Sequence, residues 1–377
     1  MKLLIISSVG ELGGGAESML YELIFSIKEE IELEVLFMKD GKLKKAVENL
    51  KIRTHYLEIP RMKNGVGVLI WMTKYNQVLK KINPSIVLNW MPKAHLFTAL
   101  PNYFAKKPTY WWQHGVPNPP NFFDKVTPKL PAKKIGSSST IAKLAQEKLT
   151  NKPVFCTFPG SDVAKHSPDL KSRKVIREKY GIDEETIVLG NVGRIQGWKR
   201  QDILIEAVEL LIKQNKRVKL LMVGGNLYNL DNEYERKINQ LIIEKGLSEY
   251  IITTGNQLNV APFYDAMDIY VHTAKGEPFG IVMVEAMLHA KPVVAIKSPG
   301  SIEIVKDMET GLLVNSDSPK MVTNKIEALI EMGDFHRMGI KGRERAISLF
   351  SNKQMGQKIL SEIMLDKEAD NYKKEVI

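Results

Sequence analysis

Short apolar runs alternate with stretches whose apolar positions recur every three to four residues, from residue 3 to about residue 315. The short runs read as strands and the periodic stretches as helices. Strand followed by helix, repeated, is the pattern of stacked βαβ units and a parallel sheet. In the first half the predicted strands are 3–7, 33–37, 53–58, 85–89, 109–113, 134–137 and 154–158. The second half repeats the plan at 187–192, 219–223, 251–254, 269–272, 293–296 and 311–314. Beyond Val314 only amphipathic helix patterns remain, such as 321–332 and 353–365, and the charged tail 366–377 is expected to fray.

Pro159, Gly160, Ser161 and Asp162, followed by Ser167-Pro168, form the clearest cluster of turn residues between the two series, and the domain boundary is placed there. A chain of 377 residues with 44% hydrophobic positions suits two domains rather than one core. The single cysteine, Cys156, excludes an internal disulfide and a thiolate metal site and fits a reducing cytoplasm. It reads as a small buried residue in a strand over 154–157. No signal peptide or spanning helix is visible: Glu11 and the glycines cut the first apolar run, and Glu285, His289 and Lys291 interrupt the one at 281–296. The expectation is a cytoplasmic protein, with a peripheral place at the inner face of the cell membrane as the alternative.

The net charge of +11 attracts anions in general. Basic clusters lie at 42–45, 80–81, 106–107, 125–134 and 171–179, mostly in the first half, and lysines solvating helix faces are the default reading of each. Nucleic acid is not an expected partner, because no helix-turn-helix, zinc or aromatic-basic sheet motif accompanies the charge.

Candidate chemistry collects at the carboxyl ends of the predicted strands, where open α/β sheets bind ligands. Glu277 lies in a loop and Glu285 on the helix that follows, with Pro278, Phe279 and Gly280 next to the first acid. Arg194 and Lys199 follow the strand at 187–192. Such cations can neutralise a diphosphate leaving group, or they are two solvated charges. Gly13-Gly14-Gly15 joins the first strand to a helix at 16–28, where backbone amides and the helix dipole favour an anion. This is neither the dinucleotide fingerprint nor a P-loop. His114, after the strand at 109–113, is a candidate hydrogen-bond partner for a sugar or an attacking hydroxyl. Ser301 reads as a helix N-cap, and Glu303 suits a first helical turn. Trp90, Trp111 and Trp112 line a groove or fill the core. The segment 62–72, with Ile70 and Trp71, is a candidate amphipathic membrane helix.

Six stretches occur in a telling order: Gly13-Gly14-Gly15-Ala16-Glu17, Trp112-Gln113-His114-Gly115, Phe158-Pro159-Gly160-Ser161-Asp162, Gly193-Arg194 with Lys199, Glu277 to Glu285, and Pro299-Gly300-Ser301-Ile302-Glu303. Together they resemble the retaining, nucleotide-sugar-dependent glycosyltransferases of the glycosyl transferases group 1 family, whose signature is two glutamates with seven residues between them. The resemblance covers nearly the whole chain. It implies an α/β fold of GT-B type, two Rossmann-like domains whose parallel sheets face a central cleft. Residues 1–162 would bind acceptor, with a last helix at about 353–377 crossing back, and 163–352 would bind the nucleotide sugar.

By the same resemblance Glu277 contacts donor-sugar hydroxyls and stabilises positive charge at the anomeric carbon, and Glu285 accepts from the ribose hydroxyls. Phe279, Gly280, Ile281 and Val282 bring backbone amides to sugar and phosphates. Gly193, Arg194 and Lys199 serve the diphosphate, Gly14 or Gly15 allows close phosphate approach, and His114 belongs to the site. A helix residue paired with a lysine is the bland alternative for Glu285. The implied enzyme is a metal-independent hexosyltransferase without cofactor. It would move sugar from a nucleoside diphosphate, uridine favoured, to a hydroxyl of a glycan or lipid-linked acceptor in cell-surface polysaccharide or glycolipid synthesis. An inactive sugar-nucleotide-binding scaffold or partner subunit is the rival reading. The chain departs from the family pattern at Gly115, where an aspartate often follows the histidine, and at Ser298 to Ser301, where two glycines are common.

Overall fold

The computed structural model describes residues 1–61, 64–226 and 230–375, with side chains as far as residue 365. They fall into two compact units, Met1–Gly160 with Asn352–Ile377, and Ser161–Ser351. The first unit holds β1 (Lys2–Ser7), β2 (Glu32–Phe37), β3 (Arg53–Tyr56), β4 (Ile86–Trp90), β5 (Thr109–Gln113), β6 (Ile135–Ser137) and β7 (Val154–Cys156). The second holds β8 (Ile187–Val192), β9 (Val218–Val223), β10 (Ile251–Thr253), β11 (Ile269–His272), β12 (Val293–Ile296) and β13 (Gly311–Val314). All thirteen predicted strands are present, and every pairing is parallel. The expected class, α/β with two parallel sheets, is therefore the observed one. The strand orders are β3-β2-β1-β4-β5-β6-β7 and β10-β9-β8-β11-β12-β13.

Alternation within each strand shows why these runs are apolar throughout. In β1, Leu3 and Ile5 enter a core built with the helix Gly15–Ile27, while Leu4 and Ile6 enter another with Trp71, Tyr75 and Leu79. Both faces of the sheet are covered, which favours apolar residues at successive strand positions. Each such side chain contributes about 1.5–3 kcal/mol by leaving water. The last helix, Asn352–Glu375, puts Met355, Ile359, Leu360 and Ile363 into the first unit's core. Gly356 permits that approach, since a Cβ there would lie 2.3 Å from the Ser26 hydroxyl.

Several local expectations are corrected. The helix Gly65–Ile82 turns Trp71 inward at 3% exposure, whereas Val66, Leu69 and Ile70 face out. Met62, the start of the proposed membrane segment, lies outside the described residues. Cys156 is half-buried rather than buried. Trp90, Trp111 and Trp112 are all core residues, not groove lining. The final helix, Asn352–Glu375, extends beyond the amphipathic pattern at 353–365 and agrees with the helix expected at about 353–377, with Val376 and Ile377 outside the described residues. Among the described residues no helix is long and apolar enough to cross a membrane.

Candidate functional site

In the second unit the strand order reverses between β8 and β11, the switch point at whose strand carboxyl ends open α/β sheets bind ligands. After β8 come Gly193, Arg194 and a short 3-10 turn, Gly197–Lys199, before the helix Gln201–Lys213. A Cβ at Gly224, just beyond β9, would sit 2.1 Å from the Gly193 carbonyl oxygen, so these two turns press backbone against backbone. After β11 the chain runs through Thr273 and Lys275 to Glu277. The Thr273 hydroxyl donates to the Lys199 carbonyl at 3.0 Å, and the Lys275 amide to that of Trp198 at 2.9 Å. These bonds tie the two loops together.

That tie places Lys199 Nζ 2.5 Å from Glu277 Oε2. His272 Nε2 stands 3.3 Å from the same oxygen, without the alignment of a hydrogen bond. Glu277 is only 7% exposed. Burial alone would raise its pKa, but His272 and Lys199 outweigh it and hold the carboxyl down at about 2. The His272 pKa is itself pushed down, chiefly by burial. Arg200 is engaged by Asp202 at 3.1 Å and Asp317 at 3.2 Å. Arg194 differs: among the described residues its guanidinium has no hydrogen bond or ion pair, while its carbonyl anchors the Gln201 amide nitrogen at 2.9 Å. Arg194 is therefore a cation whose charge is uncommitted among the described residues.

The segment after Glu277 is built for close approach. Gly280 has φ +94°, and a Cβ there would meet Met283 Cε at 2.4 Å and Glu277 Cγ at 3.0 Å. The helix Ile281–Leu288 then starts with no side-chain cap and no acid in its first turn, leaving its positive end open. The Phe279 ring packs edge-on against Phe350 at 5.8 Å and is buried in the unit. Beneath it, Gly300 donates to the Glu277 carbonyl at 2.9 Å, and a Cβ at Gly300 would fall 1.9 Å from the Phe279 oxygen. Ser301 is not the cap of that helix. Pro299–Ile304 is capped by Ser298, and Ser301 returns the bond from the third helical position.

Glu285 lies one turn further on. Its Oε2 accepts from the Tyr264 hydroxyl at 2.8 Å, and its Oε1 is 3.8 Å from His166 Nε2. Burial raises its pKa. No lysine pairs with it among the described residues. Sequence reasoning missed Tyr264, Thr273 and His272. Tyr264 lies in the short helix Ala261–Ala266, His272 ends β11 and Thr273 follows it, and none belongs to a recognisable motif.

In the first unit the order reverses between β1 and β4. Gly14 and Gly15 open the helix after β1. A Cβ at Gly15 would meet nothing within 4 Å, and one at Gly14 would meet only the movable Glu17 carboxylate. Packing within the protein does not demand glycine here. The Trp90 indole, at the end of β4, donates to the Ala16 carbonyl at 3.0 Å, and the His114 ring stands edge-on to Trp90 at 4.8 Å. Trp90 thus joins the glycine loop to His114. Burial pushes His114 down to about 3, so its ring is neutral, and among the described residues its buried Nε2 has no hydrogen-bond partner. Among the described residues no group of three or more His, Cys, Asp and Glu is placed to hold a metal ion.

Residues 172–345 match the family model described as Glycosyl transferases group 1. A GDP-mannose-dependent alpha-(1-6)-phosphatidylinositol monomannoside mannosyltransferase of Mycolicibacterium smegmatis is 28% identical over 211 residues, 53% of this chain and 53% of that protein. The capsular polysaccharide biosynthesis glycosyltransferase CapM of Staphylococcus aureus is 28% identical over 201 residues, 51% of this chain and 50% of that one. The chain spans about half the length of the curated relatives it matches. Among solved structures, Anabaena HepE in complex with UDP superposes with a TM-score of 0.86 at 24% identity, covering 97% of this chain and all of that one. At that identity the likeness establishes a shared fold.

Proposed function

We propose that this chain, which belongs through residues 172–345 to the glycosyl transferases group 1 family and has the GT-B fold, is a retaining glycosyltransferase. It transfers a sugar from a nucleoside diphosphate donor, UDP favoured, to a hydroxyl of a glycan or lipid-linked acceptor in cell-surface polysaccharide or glycolipid synthesis. The observation that carries the reading is the pairing, at one strand-end crevice, of a carboxylate held ionised with an uncommitted guanidinium and an uncapped helix N-terminus. UDP in the HepE complex and the name of CapM support the donor and the product class.

Opposite charges develop as the glycosidic bond breaks. The diphosphate gains negative charge, which Arg194 and the open amides of the Ile281–Leu288 helix stabilise. Lys199 is already engaged by Glu277 and acts chiefly by keeping that carboxylate fixed and ionised. Glu277 then orients sugar hydroxyls and offsets positive charge at the anomeric carbon, and Glu285 takes the ribose. The acceptor oxygen attacks from the face the leaving group departs, and its proton passes to the leaving phosphate oxygen, so configuration is retained. His114, neutral and with a free nitrogen, suits a hydroxyl, and the loop at Gly14 and Gly15 suits a phosphate. No metal or cofactor enters this scheme. A cytoplasmic place, peripheral at the inner membrane face, belongs to the same reading.

The test is a thermal-shift panel of UDP, GDP and their sugar conjugates in EDTA, followed by transfer assays with the Glu277→Ala variant. We expect a selective shift in EDTA, at least a hundredfold loss of turnover in the variant, and an α-configured product from an α-configured donor by NMR. Unchanged function of Glu277→Ala would favour a scaffold, and an inverted product would remove the retaining mechanism.

A further inference from the structure

We infer that Tyr264 is the positioning residue for Glu285, fixing its carboxylate so that one oxygen is presented to the ribose of the bound nucleotide. The inference rests on the reading of Glu285 as the ribose ligand and adds the side chain that aims it. The Tyr264 hydroxyl is fully buried and lies 2.8 Å from Glu285 Oε2 and 3.2 Å from the Val282 carbonyl oxygen. A phenol has one proton to give, and the nearer acceptor, the carboxylate oxygen, takes it. The other oxygen, Oε1, has only His166 Nε2 at 3.8 Å, beyond hydrogen-bond range. Among the described residues Tyr264 is thus the sole hydrogen-bond partner of the Glu285 side chain, and Oε1 is left for a ligand.

The ring that carries this hydroxyl is held from behind. It stacks on His289 at 5.4 Å with the planes 22° apart. His289 Nδ1 is 2.7 Å from Asp265 Oδ1, which also accepts from the Asp169 amide at 3.1 Å. A donor fixed in this way keeps Oε2 in one place, so the carboxylate is oriented before nucleotide arrives, and binding need not spend affinity on ordering it.

The measurement is calorimetric binding of UDP and 2′,3′-dideoxy-UDP to the full chain, to Tyr264→Phe, to Glu285→Gln and to the double variant, with Tm recorded for each. We expect the wild type to prefer UDP by about tenfold or more, the scale of a hydrogen bond to a carboxylate. Tyr264→Phe should cut that preference at least fivefold while binding the dideoxy compound within twofold of wild type. In the Glu285→Gln background the same exchange should change nothing further. The proposal is overturned if Tyr264→Phe keeps the full preference, weakens both ligands alike, or adds to the loss in the double variant. A wild type without preference removes the ribose reading itself, and the positioning role with it, and is told apart because it concerns no variant. Tyr264→Met replaces the Phe variant in all arms if the latter fails to fold.

Discussion

Lys199 and Glu277 meet at 2.5 Å with side chains 14% and 9% exposed, so each has given up most of its water for the other. Removing one partner of such a pair strands the second, and Lys199→Ala should cost about 3 kcal/mol in urea unfolding. The pair also sets a pH dependence. Glu277 is depressed from 4.5 to about 2 in the folded chain. Its contribution is complete above pH 4.5 and is lost as the pH falls through the folded value. The stability gap between wild type and Glu277→Gln should close by about 3 kcal/mol between pH 5 and 2. A gap that stays constant would mean the carboxylate is not held ionised. Glu277, Lys199 and Arg194 were legible in the sequence because their stretches recur in a recognisable order. Their unequal roles were not, because only the fold shows that Lys199 is engaged by Glu277, Arg200 by Asp202 and Asp317, and Arg194 by nothing described. Tyr264 and His272 were not singled out from the sequence because neither belongs to a motif, and both lie buried beside a carboxylate in the fold.

At the scale of elements, two glycines in matching strand-to-helix connections make opposite predictions. Gly300 supports the loop that carries Phe279, and a methyl group there would lie 1.9 Å from a backbone oxygen that cannot swing away. Gly300→Ala should therefore lower stability by about 1–3 kcal/mol and weaken UDP binding with it. Gly15 faces open space at a helix start. Gly15→Ala should leave the urea midpoint within about 0.5 kcal/mol of wild type and weaken only the nucleotide-sugar complex. If both properties are untouched, the loop does not approach a phosphate. The strands were readable at this scale because parallel sheets covered on both faces need uninterrupted apolar runs, as in Leu3 to Ile6. Helix starts were harder. Ser298 and Ser301 are equally good capping residues by type, and Pro299 decides between them by taking the first helical position. Trp71 was misjudged for a related reason: Val66, Leu69 and Ile70 form an apolar stripe on one side of their helix, and the tryptophan beside them faces the other way.

For the whole molecule, a net charge of +11 says that anions are attracted but not where. The first unit gives the charge a location. A cavity of about 720 Å³ opens at the amino ends of β5, β6 and β7, lined by Tyr103, Phe104, Lys106, Lys107, Lys133 and Lys152, and among the described residues no acidic side chain lines it. Within this unit it lies at the end of the sheet opposite to Gly14 and His114. Phe104 is 78% exposed. Lys107 and Lys152 donate to an amide oxygen and a backbone carbonyl, both uncharged, so their own charge is not cancelled. Part of this basicity complements the C-terminal end of the helix Pro92–Phe104, a purely structural use. Exposed aromatics beside uncompensated lysines also suit an anionic bilayer, where each lysine near the surface contributes about 1 kcal/mol. The protein should therefore cosediment with phosphatidylglycerol vesicles at low ionic strength, not with phosphatidylcholine alone, and should be released by 0.5 M salt, about the screening limit for such contacts. Replacing Lys106 and Lys107 by Gln removes about 2 kcal/mol, roughly thirtyfold in partition, and leaves transfer to a soluble acceptor unchanged, since neither side chain belongs to the site. Equal sedimentation of wild type and the double variant would assign these lysines to the helix end alone, and a wild type that stays in solution would remove the membrane from the proposed function.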